Sequence, residues 1–123
     1  MTKTSVLIVG GSLNGLSMAL LLAHRKVKCV VVERHPGTSI QYKFRGISPR
    51  SMEIFRGLGI EDEIRANQTG DQKSGQIVRM KNLSDSEIHS EGLPWADTEA
   101  ISPTTAASCD QDQLEPILSM PNN

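Results

Sequence analysis

The sequence predicts an α/β fold organised around a βαβ unit, and three observations predict it: two short β-branched runs, a glycine-rich turn directly after the first, and an apolar segment of helical length between them. Ser5-Val6-Leu7-Ile8-Val9 is apolar and ends at Gly10, the pattern of a strand buried on both faces. From Asn14 to about His24 nearly every position is Leu, Met, Ala, Gly or Ser, which suits a helix packed on more than one side. Lys28 to Glu33 is the second buried strand, closed by turn chemistry at His35-Pro36-Gly37. Such strands run parallel with a right-handed crossover.

Further along, Pro49 opens a helix through Phe55 that Gly57 and Gly59 punctuate, and Ile60 to Ile64 supplies one more turn. Arg50 and Glu53, three apart on that helix, suit a surface or packing pair. The pattern thins between 70 and 105, where Gln76 to Met80 suits a strand and Leu83 to Leu93 a polar hairpin or loop. Asp110 suits the N-cap of a last helix with Leu114, Ile117 and Leu118 at helical spacing, although Pro116 and Pro121 weaken it.

A length of 123 residues fits one domain. The net charge of -1 is a cancellation: residues 1–60 carry nine Lys and Arg against Glu33 and Glu53, net +7, whereas residues 61–123 carry four against twelve Asp and Glu, net -8. Leu, Ile, Val and Phe number 20 in the first part and 10 in the second, so the core is expected at the front and the acidic part is expected to want further strands to pack on. A pI near 6.3, with no aromatics interleaving a basic run, gives no support to nucleic-acid binding, and no nucleic-acid partner is expected. Ser5 to Ala23 is uncharged and long enough to span a bilayer. Gly10, Gly11, Ser12, Asn14, Gly15 and Ser17 in its middle, with no flanking Trp or Tyr, argue against a membrane helix. Cys29 and Cys109 have no metal-ligand spacing and suit the reduced thiols of a cytoplasmic protein. His24, His35 and His89 fit no triad or metal spacing, so no catalytic side chain and no metal site are expected.

Gly10-Gly11-Ser12-Leu13-Asn14-Gly15 fits G-x-G-x-x-G except that Ser12 replaces the second glycine. Gly10 permits the tight turn and Gly15 lets the helix pack closely on the strand. Between them the helix N-terminus offers unpaired N–H groups and partial positive charge to a pyrophosphate. Ser12 adds a Cβ there at some steric cost, and also a hydroxyl able to donate to a phosphate. Glu33 lies 23 positions after Gly10, near where such units place the acid that accepts from the adenosine ribose. Its carboxylate repels a 2′-phosphate, which disfavours NADP in this site and leaves FAD and NAD.

The run Val30 to Gly37, then Arg45-Gly46, then Pro49 to Ile60, resembles the N-terminal section of FAD-dependent aromatic hydroxylases. These are the para-hydroxybenzoate hydroxylase-like flavin monooxygenases, and the likeness is strongest to the branch acting on polyketides. Gln111 to Leu118 resembles a family segment at the expected distance downstream, whereas residues 67–109 carry no recognisable likeness. The resemblance implies a Rossmann-like FAD-binding domain in which the turn from Gly10 to Gly15 surrounds the pyrophosphate and Glu33 binds the ribose. It further implies that Arg34 flanks the adenine, that Arg45 reaches the phosphates, and that Gln111 contacts the cofactor further along. The implied reaction uses NADPH or NADH to reduce FAD and transfers one oxygen atom of O2 to an aromatic ring, the cofactor carrying the chemistry.

The family completes its site with a downstream Asp-Gly motif and a Gly-Asp motif, and neither occurs here in such a context. The expectation is a truncated α/β domain spanning 1–123: a βαβ unit with one helix over 1–60, an acidic remainder over 61–123, and no substrate domain. Such a chain is expected to be inactive alone. The competing expectation is a noncatalytic nucleotide-binding or interaction module derived from such an enzyme.

Overall fold

The computed structural model describes residues 3–40, 43, 45–70, 76–80, 82, 84, 89–92 and 101–119. Strands β1 (Val6–Val9) and β2 (Cys29–Val32) pair in parallel, Val6 opposite Cys29 and Val9 opposite Val32, with helix α1 (Leu13–His24) connecting them. Gly10 N–H donates to the Val32 carbonyl at 2.8 Å, so the ladder continues one residue into the turn. Two-residue strand β3 (Gly46–Ile47) precedes α2 (Pro49–Gly57), which is capped by Ser48 and followed by α3 (Glu61–Ala66). Strands β4 (Gln76–Arg79) and β5 (His89–Gly92) pair antiparallel, so the strand expected at 76–80 is present and its partner lies in the segment expected to be a hairpin or loop of its own. Strand β6 (Ala107–Ser108) then pairs antiparallel with β3, and α4 (Gln111–Ser119) follows. The Asp110 carbonyl accepts from Leu114 N–H at 2.9 Å at the start of α4, and the helix runs through Pro116 to Ser119. Pro121 and residues 85–88 lie outside the described residues.

Burial corrects three expectations. The core is not confined to the front: it joins Leu20, Ile47, Met52, Phe55, Leu58 and Ile60 of the first part to Ile64, Ala107, Cys109, Leu114, Ile117 and Leu118 of the second. The apolar-poor second part contributes Leu114, Ile117 and Leu118 from one face of α4, whereas its Ile101 stays 83% exposed. Strand β1, expected to be buried on both faces, buries only Ile8, whereas Leu7 and Val9 are 59% and 82% exposed. Alternation along a strand is the reason. Ile8 points at α1, its Cγ2 lying 3.3 Å from where a Cβ on Gly15 would sit, and the opposite face of the sheet is open among the described residues. Helix α1 likewise packs on one side, through Leu20 with Leu13 and Leu16, and leaves Met18 and Leu21 exposed.

Candidate cofactor site

The site is built on a turn that requires glycine at two positions, Gly10 and Gly15. Gly10 has φ +108°, a backbone conformation that side chains rarely adopt. A Cβ on Gly15 would lie 1.9 Å from the Gly10 carbonyl oxygen, so the first turn of α1 rests directly on the turn that follows β1. A Cβ on Gly11 would meet the Glu33 Cβ at 3.0 Å, which brings the end of β2 against the same turn.

Glu33 fastens that contact. Its Oε2 accepts from Gly11 N–H at 2.7 Å and its Oε1 from His35 N–H at 2.9 Å. These bonds, the one from Gly11 foremost, hold the carboxyl below the usual carboxylate range although the side chain is exposed. Each oxygen keeps a second lone pair for a ligand hydroxyl. Because the folded-state pKa is depressed, the contribution of Glu33 to the folded turn is present above the ordinary glutamate range and is lost as pH falls through the folded value. In an acid titration followed by NMR, the amides of Gly11 and His35 are expected to shift together, with a shared midpoint below that of an exposed glutamate. Separate midpoints, or a shared one at the ordinary value, would contradict the double anchoring.

Between this turn and α4 lies a cavity of about 820 Å³. Of the residues selected from sequence, Gly11, Ser12, Leu13, Asn14, Glu33, Arg34 and Gln111 line it. Gly10 and Gly15 shape the turn behind the lining. Arg45 stands outside the wall: its Nε donates to Asp110 Oδ1 at 2.6 Å, its side chain is 60% exposed, and its carbonyl accepts from Cys109 N–H at 2.9 Å. It therefore braces the residue that precedes Gln111. Ser12 also differs from expectation, because its hydroxyl donates to Glu115 Oε1 at 2.9 Å and accepts from Gln111 Nε2 at 3.0 Å. The proton offered in principle to a phosphate is given to α4.

Sequence reasoning assigned no role to Glu115, Ser39 or Lys43, all of which line the cavity. Glu115 follows Gln111 by four residues, the spacing that places both on one helix face, and this is the signal that could have found it. Arg34, His35 and Lys43 supply basic groups to the wall, with Arg34 Nε donating to His35 Nε2 at 2.9 Å. Helix α1 has no side-chain cap, so the N–H groups of its first turn remain available to an anion. Open N–H groups, basic side chains and a carboxylate at a strand end together fit a ligand with a phosphate chain and ribose hydroxyls.

Elsewhere the ionic groups are structural. Arg50 pairs with Glu53 at 2.6 Å as the spacing suggested. Glu61 accepts from the Thr104 hydroxyl and from Arg65, which hold its carboxyl below the usual range and tie α3 to the segment before β6. Burial pushes the Cys109 thiol up, which makes it unreactive, and both cysteines are free. Among the described residues no cluster could hold a metal ion, and no helix is long and apolar enough to cross a membrane.

The chain is similar to known proteins in sequence and in fold. The chain is 39% identical over 131 residues to tetracenomycin A2 monooxygenase-dioxygenase of Streptomyces glaucescens, covering 94% of this chain and 23% of that protein. It is 42% identical over 120 residues to aklavinone 12-hydroxylase DnrF of Streptomyces peucetius, covering 92% and 24%. Among solved structures, aklavinone-11 hydroxylase in a ternary complex with FAD and aklavinone superposes with a TM-score of 0.76 at 38% identity, over 96% of this chain and 24% of that one. The flavin-dependent monooxygenase PieE in complex with FAD and substrate gives a TM-score of 0.78 at 32% identity, over 95% and 21%. The chain thus spans about a quarter of the length of the relatives it matches. A match to the family described as "FAD binding domain" runs from residue 3 to residue 121, through the stretch at 67–109 where the sequence offered no likeness, and the chain belongs to that family.

Proposed function

We propose that this chain forms the adenosine-pyrophosphate side of an FAD site within a monooxygenase that hydroxylates an aromatic or polyketide substrate, using NADPH or NADH and O2. The observation that carries the reading is the uncapped N-terminus of α1 facing the same cavity as the Glu33 carboxylate. In this reading the N–H groups from Ser12 to Asn14 receive the pyrophosphate and Glu33, held by Gly11 N–H, accepts from the ribose. Arg34 flanks the adenine and Gln111 meets the cofactor further along. Arg45 reaches the phosphates by exchanging Asp110 for them, or else serves the site by bracing the start of α4. FAD, when bound, supplies the redox chemistry; the residues of this chain bind it and set its direction. The reading assigns residues 1–60 to the dinucleotide-binding unit and residues 61–123 to closing it through α4, with substrate contacts outside this chain. The two free thiols support a cytoplasmic setting.

Titration of the purified chain with FAD, followed by flavin fluorescence, tests this. Saturable binding that ADP reverses and FMN does not is the expected result, with no NADPH or NADH consumption on addition of an aromatic substrate. A chain folded by circular dichroism that binds no FAD would overturn the assignment. Turnover by the chain alone would overturn the division of labour. Binding that is stronger for ADP than for FAD would favour a nucleotide-binding module instead.

A further inference from the structure

We infer that Glu115 is a positioning residue of the cofactor site: it draws the Ser12 hydroxyl off the N-terminus of α1 and so keeps that terminus open to a pyrophosphate. The inference rests on the reading that the cavity takes FAD.

A serine at an N-cap ordinarily accepts a hydrogen bond from the backbone N–H two or three residues on. Ser48 does this at the start of α2, where its Oγ accepts from Ser51 N–H at 3.2 Å. Ser12 occupies the same position on α1 with the same extended backbone, φ -89° and ψ -170°, yet its side chain makes no cap. Glu115 is the difference. It is 3% exposed, and its Oε1 takes the Ser12 proton at 2.9 Å while also accepting from Gln111 Nε2 at 2.7 Å. Its Oε2 accepts from Ser39 N–H at 2.8 Å. An ionised carboxylate can only accept, so it fixes Ser12 as the donor and turns the NH₂ end of Gln111 towards itself. Three donors from three segments are thereby gathered on one side chain. By charge alone a carboxylate beside an anion site weakens it, so its place here is explained by what it holds: Oε1 takes Ser12 and Gln111, and Oε2 fixes the side chain to Ser39 N–H.

This also accounts for a serine where the motif prefers glycine. The side chain is accommodated because it is parked against α4, not because the ligand uses it.

The test is a double-mutant cycle on the FAD affinity of the full chain, with Glu115→Leu made in the wild type and in Ser12→Gly. Freed from Glu115, Ser12 caps its own helix, and E115L is expected to bind FAD about fivefold more weakly or worse. On the S12G background the same substitution should cost about twofold or less, since no hydroxyl remains to occupy the helix N-terminus. An equal loss on both backgrounds would overturn the inference and leave Glu115 a packing residue. Should E115L fail to fold, Glu115→Ala with and without Ser12→Gly makes the same comparison. Hydrogen exchange supplies a readout without cofactor: protection of the Asn14 and Gly15 amides should rise in E115L and not in the double variant. Absence of that rise refutes the steering even where FAD binds, and its presence upholds the steering even where FAD does not.

Discussion

Gly15→Ala is expected to abolish FAD binding and to destabilise the chain by at least about 3 kcal/mol, the upper range for forcing an extra methyl into a packed interior. The new Cβ would fall 1.9 Å from the Gly10 carbonyl oxygen and 3.0 Å from its carbon. Both are backbone atoms of a residue already at φ +108°, so no side chain can rotate to relieve the overlap. The helix must instead lift off the turn, which separates Ile8 from α1 and moves the first-turn N–H groups away from the cavity. Helix propensity predicts the opposite sign, since alanine is favoured over glycine by about 1 kcal/mol in a helix interior. Thermal unfolding therefore discriminates cleanly: a melting temperature equal to or above that of the wild type would show that α1 does not rest on the turn. An FAD titration of whatever folded protein remains checks the functional half.

Met52→Ala should have the second large effect, about 2–5 kcal/mol, the range for truncating a fully buried methionine. Met52 and Ile64 are both 0% exposed and join α2 and α3 to the face of α4 that carries Leu114, Ile117 and Leu118. Folded proteins have only about 5–15 kcal/mol in hand, so this loss threatens the fold as a whole. Urea unfolding should show a lower midpoint with an unchanged slope, and FAD affinity should fall because α4 carries Gln111 and Glu115. Met52→Leu, which conserves volume, should stay within about 1.5 kcal/mol of the wild type. If alanine and leucine cost the same, cavity formation is not the cause.

The parts of this fold that could be read in advance are those with local periodicity. Val6 to Val9, the glycines after it, the apolar run to His24 and Cys29 to Val32 each announce themselves within a dozen residues, and Glu33 follows from its distance to Gly10. What could not be read depends on contacts between distant segments. Gly46–Ile47 and Ala107–Ser108 are strands only because they pair with each other, and two residues carry no period. Leu7 and Val9 have the composition of a buried strand, and nothing local reveals that the face they occupy stays open. Arg45 carries its phosphate expectation from a motif, whereas its observed partner Asp110 lies 65 residues away. Glu115 was visible as an acidic residue on a helix, but its three donors come from residues 12, 39 and 111.

The separation between Ser12 and Glu115, 103 residues along the chain, has a consequence for biosynthesis. At the usual pace of translation, about 5–20 residues per second, the glycine turn is made roughly 5–20 seconds before the side chain that holds Ser12 off it. For that interval Ser12 is free to cap α1 in the nascent chain as Ser48 caps α2. The two serines begin alike, and the synthesis of α4 is the event that makes the first of them yield its helix end to a ligand.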